Sequence, residues 1–492
     1  MLFNSIDFLI FFPVVVLIFY IIPQKTRNIW LLLSSYYFYM CWNAKYAVLL
    51  FTSTFITYLS GLFIEKFKEK IRLKKLIVFL SFLINLCILF YYKYTNFALG
   101  FLASIFETMN VQLNISTYDI ILPVGISFYT FQALSYTMDV YRGDIYAEKN
   151  LLKYSLFVSF FPQLVAGPIE RSKNMLVQLS TPKEFNLENA RDGILLMLWG
   201  YFLKIVLSNR IAIFVDTVYG DYSTYTGIYL IIATVLFAIQ IYCDFAGYST
   251  IAMGAAEILG IKLMENFDAP YLSTSVNDFW RRWHISLTSW FKDYLYIPLG
   301  GGRRGKARKY INKLIVFLIS GLWHGAEWSF VIWGGLNGLY QIIGEILQPI
   351  RDKIVVASNL HRNTSGHKLI CIIRTFVLVD ISWIFFRAQD IKASIAIIKG
   401  MLNANTNLGA LLYGEIYECG LDERNFVLMI ICIGILFAAD YCKCKGIIIR
   451  KEIVKQDWWF RWLSIAVFVS LILLFGKYGP MFDKDSFIYF QF

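Results

Sequence analysis

Charged residues are scarce in this chain. Aspartate, glutamate, lysine and arginine make up 16% of the 492 residues, whereas hydrophobic residues make up 58% and aromatic residues 18%. A soluble fold could not keep that much apolar sequence out of water. The composition therefore excludes a soluble globular protein and indicates an integral membrane protein.

Cysteine and histidine are also few, and neither forms a metal-binding pattern. The eight cysteines lie mostly singly in or beside apolar runs, and no Cys-x-x-Cys pair occurs. His361 and His367 share a basic loop with Cys371 nearby, which is too small and irregular a set for a zinc site. We therefore predict no disulfide framework and no metal site.

Basic residues outnumber acidic ones and give a formal net charge of +12. Much of this excess lies in linkers between apolar runs, at 66–75, 281–313 and 443–455. Such a distribution is typical of a topology signal, whereas a nucleic-acid groove needs a basic face on a folded domain. We predict that these linkers are cytoplasmic, that both termini face outward, and that nucleic acid is not a partner.

Apolar runs of about the 20 residues that span a hydrocarbon core recur along the chain. We predict an all-α integral membrane protein of about ten transmembrane helices, near 6–22, 29–42, 46–64, 76–92, 119–140, 193–215, 228–247, 369–386, 425–442 and 458–475. Shorter runs are predicted to be re-entrant or partial helices, near 97–106, 154–166, 249–261 and 314–323. Membranes tolerate such pieces only where they are buried in protein or line a wet cavity. Because no linker or repeat divides the chain, residues 1–492 are predicted to form a single polytopic domain.

His324 follows the short apolar run 314–323. Ten helical residues rise only about 15 Å, roughly half the hydrocarbon core, so the imidazole is predicted to lie well inside the membrane. Gly321 and Gly325 are expected to leave room for a ligand beside it. A neutral imidazole can act as a general base near pH 7. The alternative is a histidine that hydrogen-bonds between helices as a packing residue.

His284 lies in a segment where Trp280, Trp283, Leu287 and Trp290 recur at helical spacing. This spacing is typical of an aromatic stripe at a membrane interface. Periodicity alone is compatible with a headgroup-level side chain and with a functional residue.

Asp244 is an acid inside an otherwise apolar span. An unpaired charge there costs on the order of 3 kcal/mol on insertion scales. We therefore predict that Asp244 is paired, hydrogen-bonded or beside water, with structural pairing as its main role.

A basic cluster follows the sequence PLGGG and consists of Arg303, Arg304, Lys306, Arg308 and Lys309. These side chains could contact the phosphates of a cytosolic ligand. The alternative is that they serve only as part of the positive-inside topology signal.

Several motifs in order resemble the membrane-bound O-acyltransferase family, specifically its bacterial polysaccharide branch typified by alginate O-acetyltransferase. The principal motifs are WHISLTSWFKDYLYIPLGGGRRG (283–305) and GLWHGAEWSFVIWGGLNG (321–338). FFPQLVAGPIER (160–171), YCDFAGYSTIAMG (242–254) and the terminal FIYFQF (487–492) are similar to that branch too. The resemblance covers roughly residues 110–345 and the C-terminus.

The resemblance implies an all-helical membrane fold around a central tunnel or funnel. It implies that His324 is the essential catalytic residue and that His284 is a second functional histidine. It also implies transfer of an acyl group, in this branch acetyl, from a cytosolic thioester to a hydroxyl of an extracellular or cell-wall polysaccharide. The thioester, acetyl-CoA or another, is a substrate, so no bound cofactor is expected. An exported partner protein and the bacterial cytoplasmic membrane belong to the same expectation.

The terminal FIYFQF carries four aromatic residues in six. Exposed aromatic side chains gain nothing in water, so this composition favours docking into an apolar groove. By the resemblance, Tyr489 relays the acyl group as a labile phenyl ester. The alternative is an aromatic anchor at the membrane interface.

Two rival functions remain at the level of sequence. One is transfer of D-alanine to teichoic acid, whose donor would be a small carrier protein on the cytoplasmic face. The other is a non-catalytic transporter or polysaccharide-export component, in which His324 would be dispensable. The terminal FIYFQF favours the acetyl branch over the D-alanyl one.

Overall fold

The computed structural model describes residues 1–111, 118–165, 167–359, 361–362, 364–402 and 409–478. Within these ranges every regular element is a helix, so the all-α prediction is confirmed for that part of the chain. The residues pack into two compact units. The first comprises Met1–Met197 and Ile251–Met264; the second comprises Leu198–Thr250 and the described residues from Glu265 onward. The single-domain prediction stays a prediction.

The first unit is built mainly from helices early in the chain. They are α1 (Ile6–Ile21), α2 (Gln24–Met40), α3 (Lys45–Lys66), α4 (Ile71–Lys93), α5 (Thr95–Thr108), α6 (Ile126–Arg142), α7 (Leu151–Ser159), α8 (Phe161–Leu164), α9 (Ser172–Ser180) and most of α10 (Leu187–Tyr201). Small polar side chains join them, as in the buried hydrogen bonds of Ser53 with Asn85 (2.6 Å) and Tyr154 with Thr57 (2.7 Å). Such bonds between helices are common in membrane bundles.

A buried carboxyl group lies between α8 and α9 in this unit. Glu170 is 1% exposed, and its side chain accepts a hydrogen bond from the main-chain N–H of Met264. Burial raises the pKa of Glu170 to about 7. The carboxyl group is therefore partly protonated near neutral pH.

The second unit contains the remaining helices. They are α11 (Asn209–Gly220), α12 (Ile228–Ile258, whose last turns belong to the first unit), α13 (Val276–Arg282), α14 (Ile285–Phe291), α15 (Lys306–His324), α16 (Trp328–Ile346), α17 (Gln348–Ala357), α18 (Ser365–Arg387), α19 (Ile391–Met401), α20 (Gly409–Leu412), α21 (Glu423–Cys444), α22 (Ile449–Val454) and α23 (Trp458–Phe475). Two π-helical turns, Phe202–Ser208 and Lys292–Tyr296, interrupt the α-helical hydrogen-bonding pattern. Short 3₁₀ turns occur at Pro270–Leu272 and Glu415–Glu418.

Seven helical stretches in the described ranges are long and apolar enough to cross a membrane, or eight if the bent pair α16–α17 is one span. The seven are Lys45–Lys66, Ile71–Lys93, Leu187–Gly220, Ile228–Ile258, Ser365–Arg387, Glu423–Cys444 and Trp458–Phe475. The protein is therefore a multi-pass membrane protein. The count of ten spans and the central tunnel stay predictions.

Two predicted partial helices are wrong. The run 314–323 is the end of α15, whose 19 residues begin at Lys306 and span about 28 Å, so no ten-residue half-helix exists. The run 249–261 is not separate either, because α12 continues to Ile258. The sequence analysis also did not predict α16, which contains Gly334, Gly335 and Gly338.

Candidate active site

His324 is the last residue of α15 and is 4% exposed. Aromatic rings surround its imidazole: the centroids of Trp323, Trp333 and Phe386 lie 4.9, 5.0 and 5.5 Å from it. The rings of Trp323 and Trp333 stand at 85° and 88° to the imidazole plane, which is the favourable edge-to-face arrangement. The aromatic wall fixes the ring and limits access of water to it.

His284 precedes α14 in a left-handed conformation, with φ 44° and ψ 55°. This conformation costs a non-glycine residue on the order of 1–3 kcal/mol, and such strain often marks a functional site. Asn266 holds the backbone that follows His284 in place through two hydrogen bonds. Its carbonyl accepts from the N–H of Ile285 (3.0 Å), and its side-chain oxygen accepts from the N–H of Ser286 (3.2 Å).

The structure brings the two predicted histidines together. The ring centroids of His284 and His324 are 6.5 Å apart, and the ring of Phe245 packs edge-on against His284 at 4.6 Å. Burial lowers the pKa of His284 to about 3. His284 is therefore uncharged at neutral pH and can hydrogen-bond a reacting group without adding charge to the site.

A buried polar network supports this pair, and sequence reasoning missed it. Trp280 Nε1 donates to the side-chain oxygen of Asn337 (3.1 Å), whose Nδ2 donates to Ser382 Oγ (3.1 Å) and to the Trp333 carbonyl (2.9 Å). The network joins α13, α16 and α18 and holds Trp333 beside His324. Asn337, an amide within an apolar run, was the available signal.

Helices α15 and α16 pack with their backbones almost in contact. A Cβ atom added to Gly321 would lie 2.2 Å from the Phe330 carbonyl oxygen, and one added to Gly334 would lie 2.2 Å from the Phe317 carbonyl oxygen. A Cβ on Gly325 would lie 2.1 Å from the Phe330 ring. These glycines permit close helix packing, as is typical in membranes. The expectation that Gly321 and Gly325 leave room for a ligand is wrong, because Phe330 fills that space.

The glycines before the basic cluster shape a tight loop. Gly300 and Gly301 adopt φ values of 103° and 56°, which side chains disfavour. Asn312 on α15 holds the loop by donating from Nδ2 to the Gly301 carbonyl (2.9 Å). The loop therefore projects its basic residues from a fixed base.

The predicted basic cluster divides in two. Lys309 pairs with Glu345 (2.7 Å), and Lys313 pairs with the same carboxylate, so the side chain of Lys309 is held in an ion pair. The remaining four residues are exposed, and none of them has an ion pair with another described residue. These four come from the loop and from the first turn of α15, and we call them together the basic loop: Arg303, Arg304, Lys306 and Arg308.

Asp244 on α12 pairs with Lys204, as the prediction of structural pairing required. Lys204 Nζ lies 2.5 Å from Asp244 Oδ1, and each side chain is 1% exposed. Lys204 belongs to the π-helical turn Phe202–Ser208. The pair joins this turn to the helix that carries Phe245 onto His284.

Two further predictions concern Tyr489 and metal binding. Tyr489 lies outside the described residues, so its role stays a prediction. Among the residues that the structure describes, no three His, Cys, Asp or Glu side chains cluster as metal ligands.

His284 is buried and uncharged, and His324 is buried among aromatic rings. Two such histidines in a helical membrane protein are suited to acid–base chemistry shielded from water. The family model described as "MBOAT, membrane-bound O-acyltransferase family" matches residues 28–373. The chain therefore belongs to the membrane-bound O-acyltransferase family and is an O-acyltransferase.

The chain is similar to several individual named proteins. The chain is 35% identical over 407 residues to the protein named "Probable alginate O-acetylase AlgI" of Pseudomonas aeruginosa. That alignment covers 82% of this chain and 76% of the relative. The chain is 33% identical over 437 residues to the "Peptidoglycan O-acetyltransferase" of Helicobacter pylori, covering 82% and 80%. A more distant match is the "Teichoic acid D-alanyltransferase" of Bacillus subtilis, 28% identical over 235 residues, covering 44% and 57%.

Proposed function

We propose that this enzyme transfers an acetyl group from a cytosolic thioester, with acetyl-CoA as the first candidate, to a hydroxyl of an extracellular or cell-wall polysaccharide. It would do so in the bacterial cytoplasmic membrane. The main support is the buried pair of His284 and His324, 6.5 Å apart, within a chain similar to named polysaccharide O-acetyltransferases. An exported partner would complete the modification.

His324 is the proposed general base. A hydroxyl oxygen attacks the thioester carbonyl carbon while the imidazole takes the hydroxyl proton. The new C–O bond forms, the C–S bond breaks, and the thiolate leaves. The imidazolium then returns the proton to the departing sulfur, so the step neither consumes nor releases protons overall.

His284 is proposed to stabilise the oxygen on which negative charge develops. Its low pKa keeps the imidazole neutral, and a neutral N–H can donate a hydrogen bond in a site shielded from water. The Asn266 contacts hold its backbone in place, so little reorganisation is needed during the reaction. His284 and His324 thus take different roles although they are the same residue type.

Tyr489 is proposed to be the first acceptor. Its phenol attacks the thioester, forming an acetyl-tyrosine ester and releasing the thiol. A polysaccharide hydroxyl outside then attacks that ester and regenerates the phenol. Phenolate, with a pKa near 10, leaves far more readily than a sugar alkoxide, so the ester is a suitable relay.

The basic loop is proposed to steer the donor. Its four exposed cations lie in a linker predicted to be cytoplasmic, and coenzyme A carries several phosphate charges. Long-range attraction of this kind raises the association rate and weakens with salt. Lys309 is left out of this role, because its side chain is held in an ion pair with Glu345.

The decisive experiment uses purified protein in liposomes with labelled acetyl-CoA and measures acetyl transfer. His324→Ala should abolish transfer without loss of folded protein, and His324→Gln should fail too, because an amide cannot take the proton at neutral pH. His361→Ala is the matched control, since this histidine is exposed in a loop, and it should retain full activity. Normal product from either His324 variant would show that the imidazole is not the base.

The same assay separates the rival functions. A D-alanyl transferase would ignore acetyl-CoA and use a D-alanyl carrier protein; the lower identity and shorter coverage of that relative make this the weaker candidate. A non-catalytic export component would show no histidine-dependent turnover of either donor. Identifying the acetylated glycan in cells would then name the acceptor.

A further inference from the structure

Helix α21 carries a buried acid near its end. Asp440 is 6% exposed, and the Tyr242 hydroxyl on α12 lies 3.1 Å from both of its carboxylate oxygens. The other buried residues of α21 are Met429, Cys432 and Leu436. An acid within a membrane-spanning helix is costly and often marks a functional contact. The proposed mechanism gives Asp440 no role, so its contact with Tyr242 needs a separate explanation.

The ring of Tyr242 packs against the aromatic residues around His284. Its centroid lies 6.1 Å from that of Trp283, the residue before His284, and 5.8 Å from that of Phe267. Phe267 contacts Trp283 and Phe245 edge-to-face, each at 5.1 Å. Phe245 is the ring that packs on His284 at 4.6 Å. Aromatic contacts therefore link the Tyr242 phenol continuously to the imidazole of His284.

The segment Glu265–Asp268 is bonded to the chain on both sides of His284. Before His284, the Asp268 N–H donates to the Arg282 carbonyl (3.0 Å). After His284, Asn266 accepts hydrogen bonds from two main-chain N–H groups. The left-handed backbone at His284 thus lies between two points that one short segment holds. A displacement of this segment would therefore displace the backbone of His284.

Lys443, three residues after Asp440 on α21, holds that same segment. Its ammonium group donates to the Phe267 carbonyl (3.0 Å) and to the Glu265 carboxylate (2.8 Å). An ammonium group carries three donors, so it can hold both acceptors at once. Helix α21 therefore reaches the surroundings of His284 at two points. We call these the α21 contacts: Asp440 with Tyr242, and Lys443 with Phe267 and Glu265.

The α21 contacts restrain a residue whose orientation matters for the reaction. A strained backbone such as that of His284 persists only where the surrounding structure holds it. A hydrogen-bond donor stabilises developing charge only when it is aimed at the charged atom, since such bonds weaken steeply with misalignment. We propose that Asp440, Tyr242 and Lys443 are positioning residues that hold His284 in the orientation required for acyl transfer. The proposal rests on the proposed function of His284.

The first test separates positioning from stability. Tyr242→Phe combined with Asp440→Leu removes both hydrogen-bonding partners, so unfolding by denaturant should stay close to that of the native chain. Misplacement of a reacting group by about 1 Å can cost on the order of 100-fold, and a smaller shift of His284 should lower the kcat about tenfold. The KM for the thioester should stay unchanged. Asp440→Asn is the matched control, because its amide oxygen still accepts from the phenol, and it should keep a near-native kcat.

The second test concerns the other α21 contact. Lys443→Met removes the donors to Phe267 and Glu265 while keeping an apolar side chain of similar length. The kcat should again fall with the KM unchanged. Lys445→Met is the charge-matched control, because Lys445 is exposed and lies over the Tyr441 ring (5.4 Å) on the same helix. This control should keep the native kcat.

The position of the His284 ring can be measured without turnover. The chain has four histidines, so protein with isotope-labelled histidine, purified through a histidine-free tag, gives four imidazole NMR signals in liposomes. His284→Asn identifies the signal of His284 by its loss. That signal should shift or broaden in the double variant and in Lys443→Met, and stay native in Asp440→Asn and Lys445→Met. The exposed His361 is the internal reference, and its signal should not move in any variant.

A native His284 signal in either variant would overturn the positioning role of the contact that it lacks. A shifted signal with a native kcat would also overturn the proposal. These results are distinguishable from failure of the proposed function. If His284→Asn transfers acetyl groups at the native rate, the catalytic role of His284 fails, whereas the His284 signal in the other variants still shows whether the α21 contacts set the position of the ring.

Discussion

Adding one methyl group between α15 and α16 should cost both stability and activity. In Gly321→Ala the new Cβ would lie 2.2 Å from the Phe330 carbonyl oxygen, more than 1 Å inside the 3.4 Å at which ordinary contact begins. The clash is with backbone, so no side-chain rotation relieves it, and α16 must move. Overpacking of this kind costs about 1–3 kcal/mol of unfolding free energy.

The movement of α16 should reach the active site through Trp333. This residue lies three positions after Phe330, and its ring is 5.0 Å from His324. Misplacement of a reacting group by about 1 Å can cost on the order of 100-fold in rate. We therefore expect Gly321→Ala to retain its fold, unfold at lower denaturant concentration, and lose most of its kcat.

Two glycines on α16 supply matched controls. A Cβ on Gly335 would meet only Leu318 Cδ2 at 3.4 Å, and one on Gly344 would meet no atom within 4 Å. Gly335→Ala should be nearly neutral, and Gly344→Ala should be neutral or more stable by up to about 1 kcal/mol, because alanine favours helix. Acetyl transfer and denaturant unfolding should be measured on all three. If Gly321→Ala matches Gly344→Ala in both, the close packing of α15 and α16 does not position the site.

Three further results are expected. Lys204→Met should lower the unfolding free energy by about 3–5 kcal/mol, because it leaves a buried carboxylate without its cation. Adding Asp244→Leu should restore most of that free energy. Equal stability of the single and double variants would contradict the pairing of Lys204 with Asp244. Neutralising the basic loop should raise the KM for the thioester and weaken the dependence of that KM on salt. Lys309→Gln should change neither quantity. The test is to measure the KM for the thioester at low and high salt in both variants. Stability should fall as pH rises from 5 to 8, because the pKa of Glu170 is raised from 4.5 to about 7 in the folded protein, so the folded state holds a proton that the unfolded state loses. Glu170→Gln should remove up to about 3 kcal/mol of that pH dependence. If the unfolding free energy changes equally with pH in both proteins, Glu170 does not titrate in this range.

Hydrophobic runs predicted most helices because a spanning segment shows in local composition. The run at 76–92 lies within α4, and the run at 425–442 lies within α21. α16 was not predicted although it is an apolar helix with Leu339, Ile343 and Ile346 exposed, because its glycines and Asn337 interrupt the apolar run. The same glycines misled the prediction of a ligand space, because sequence shows that a side chain is missing but not which neighbour fills the gap.

The candidate site was predictable in part. His324 was singled out from its place at the end of an apolar run, and its catalytic role stays a prediction, whereas the need to pair Asp244 followed from its charge alone and is confirmed. The partner Lys204 could not be found, because it lies in a π-helical turn of a different helical segment and meets Asp244 only through tertiary packing. The closeness of His284 to His324 also depends on tertiary folding, with α13 and α14 placed against α15 and α18.

The left-handed backbone at His284 changes how any variant there must be interpreted. Alanine at this position would lose the imidazole and still carry the cost of positive φ, so a weakened His284→Ala protein confounds two effects. Asparagine tolerates that conformation better than most residues, and glycine adopts it freely. The informative series is therefore His284→Asn, His284→Gly and His284→Ala. Activity lost equally in all three belongs to the missing imidazole, whereas a defect confined to alanine belongs to the backbone.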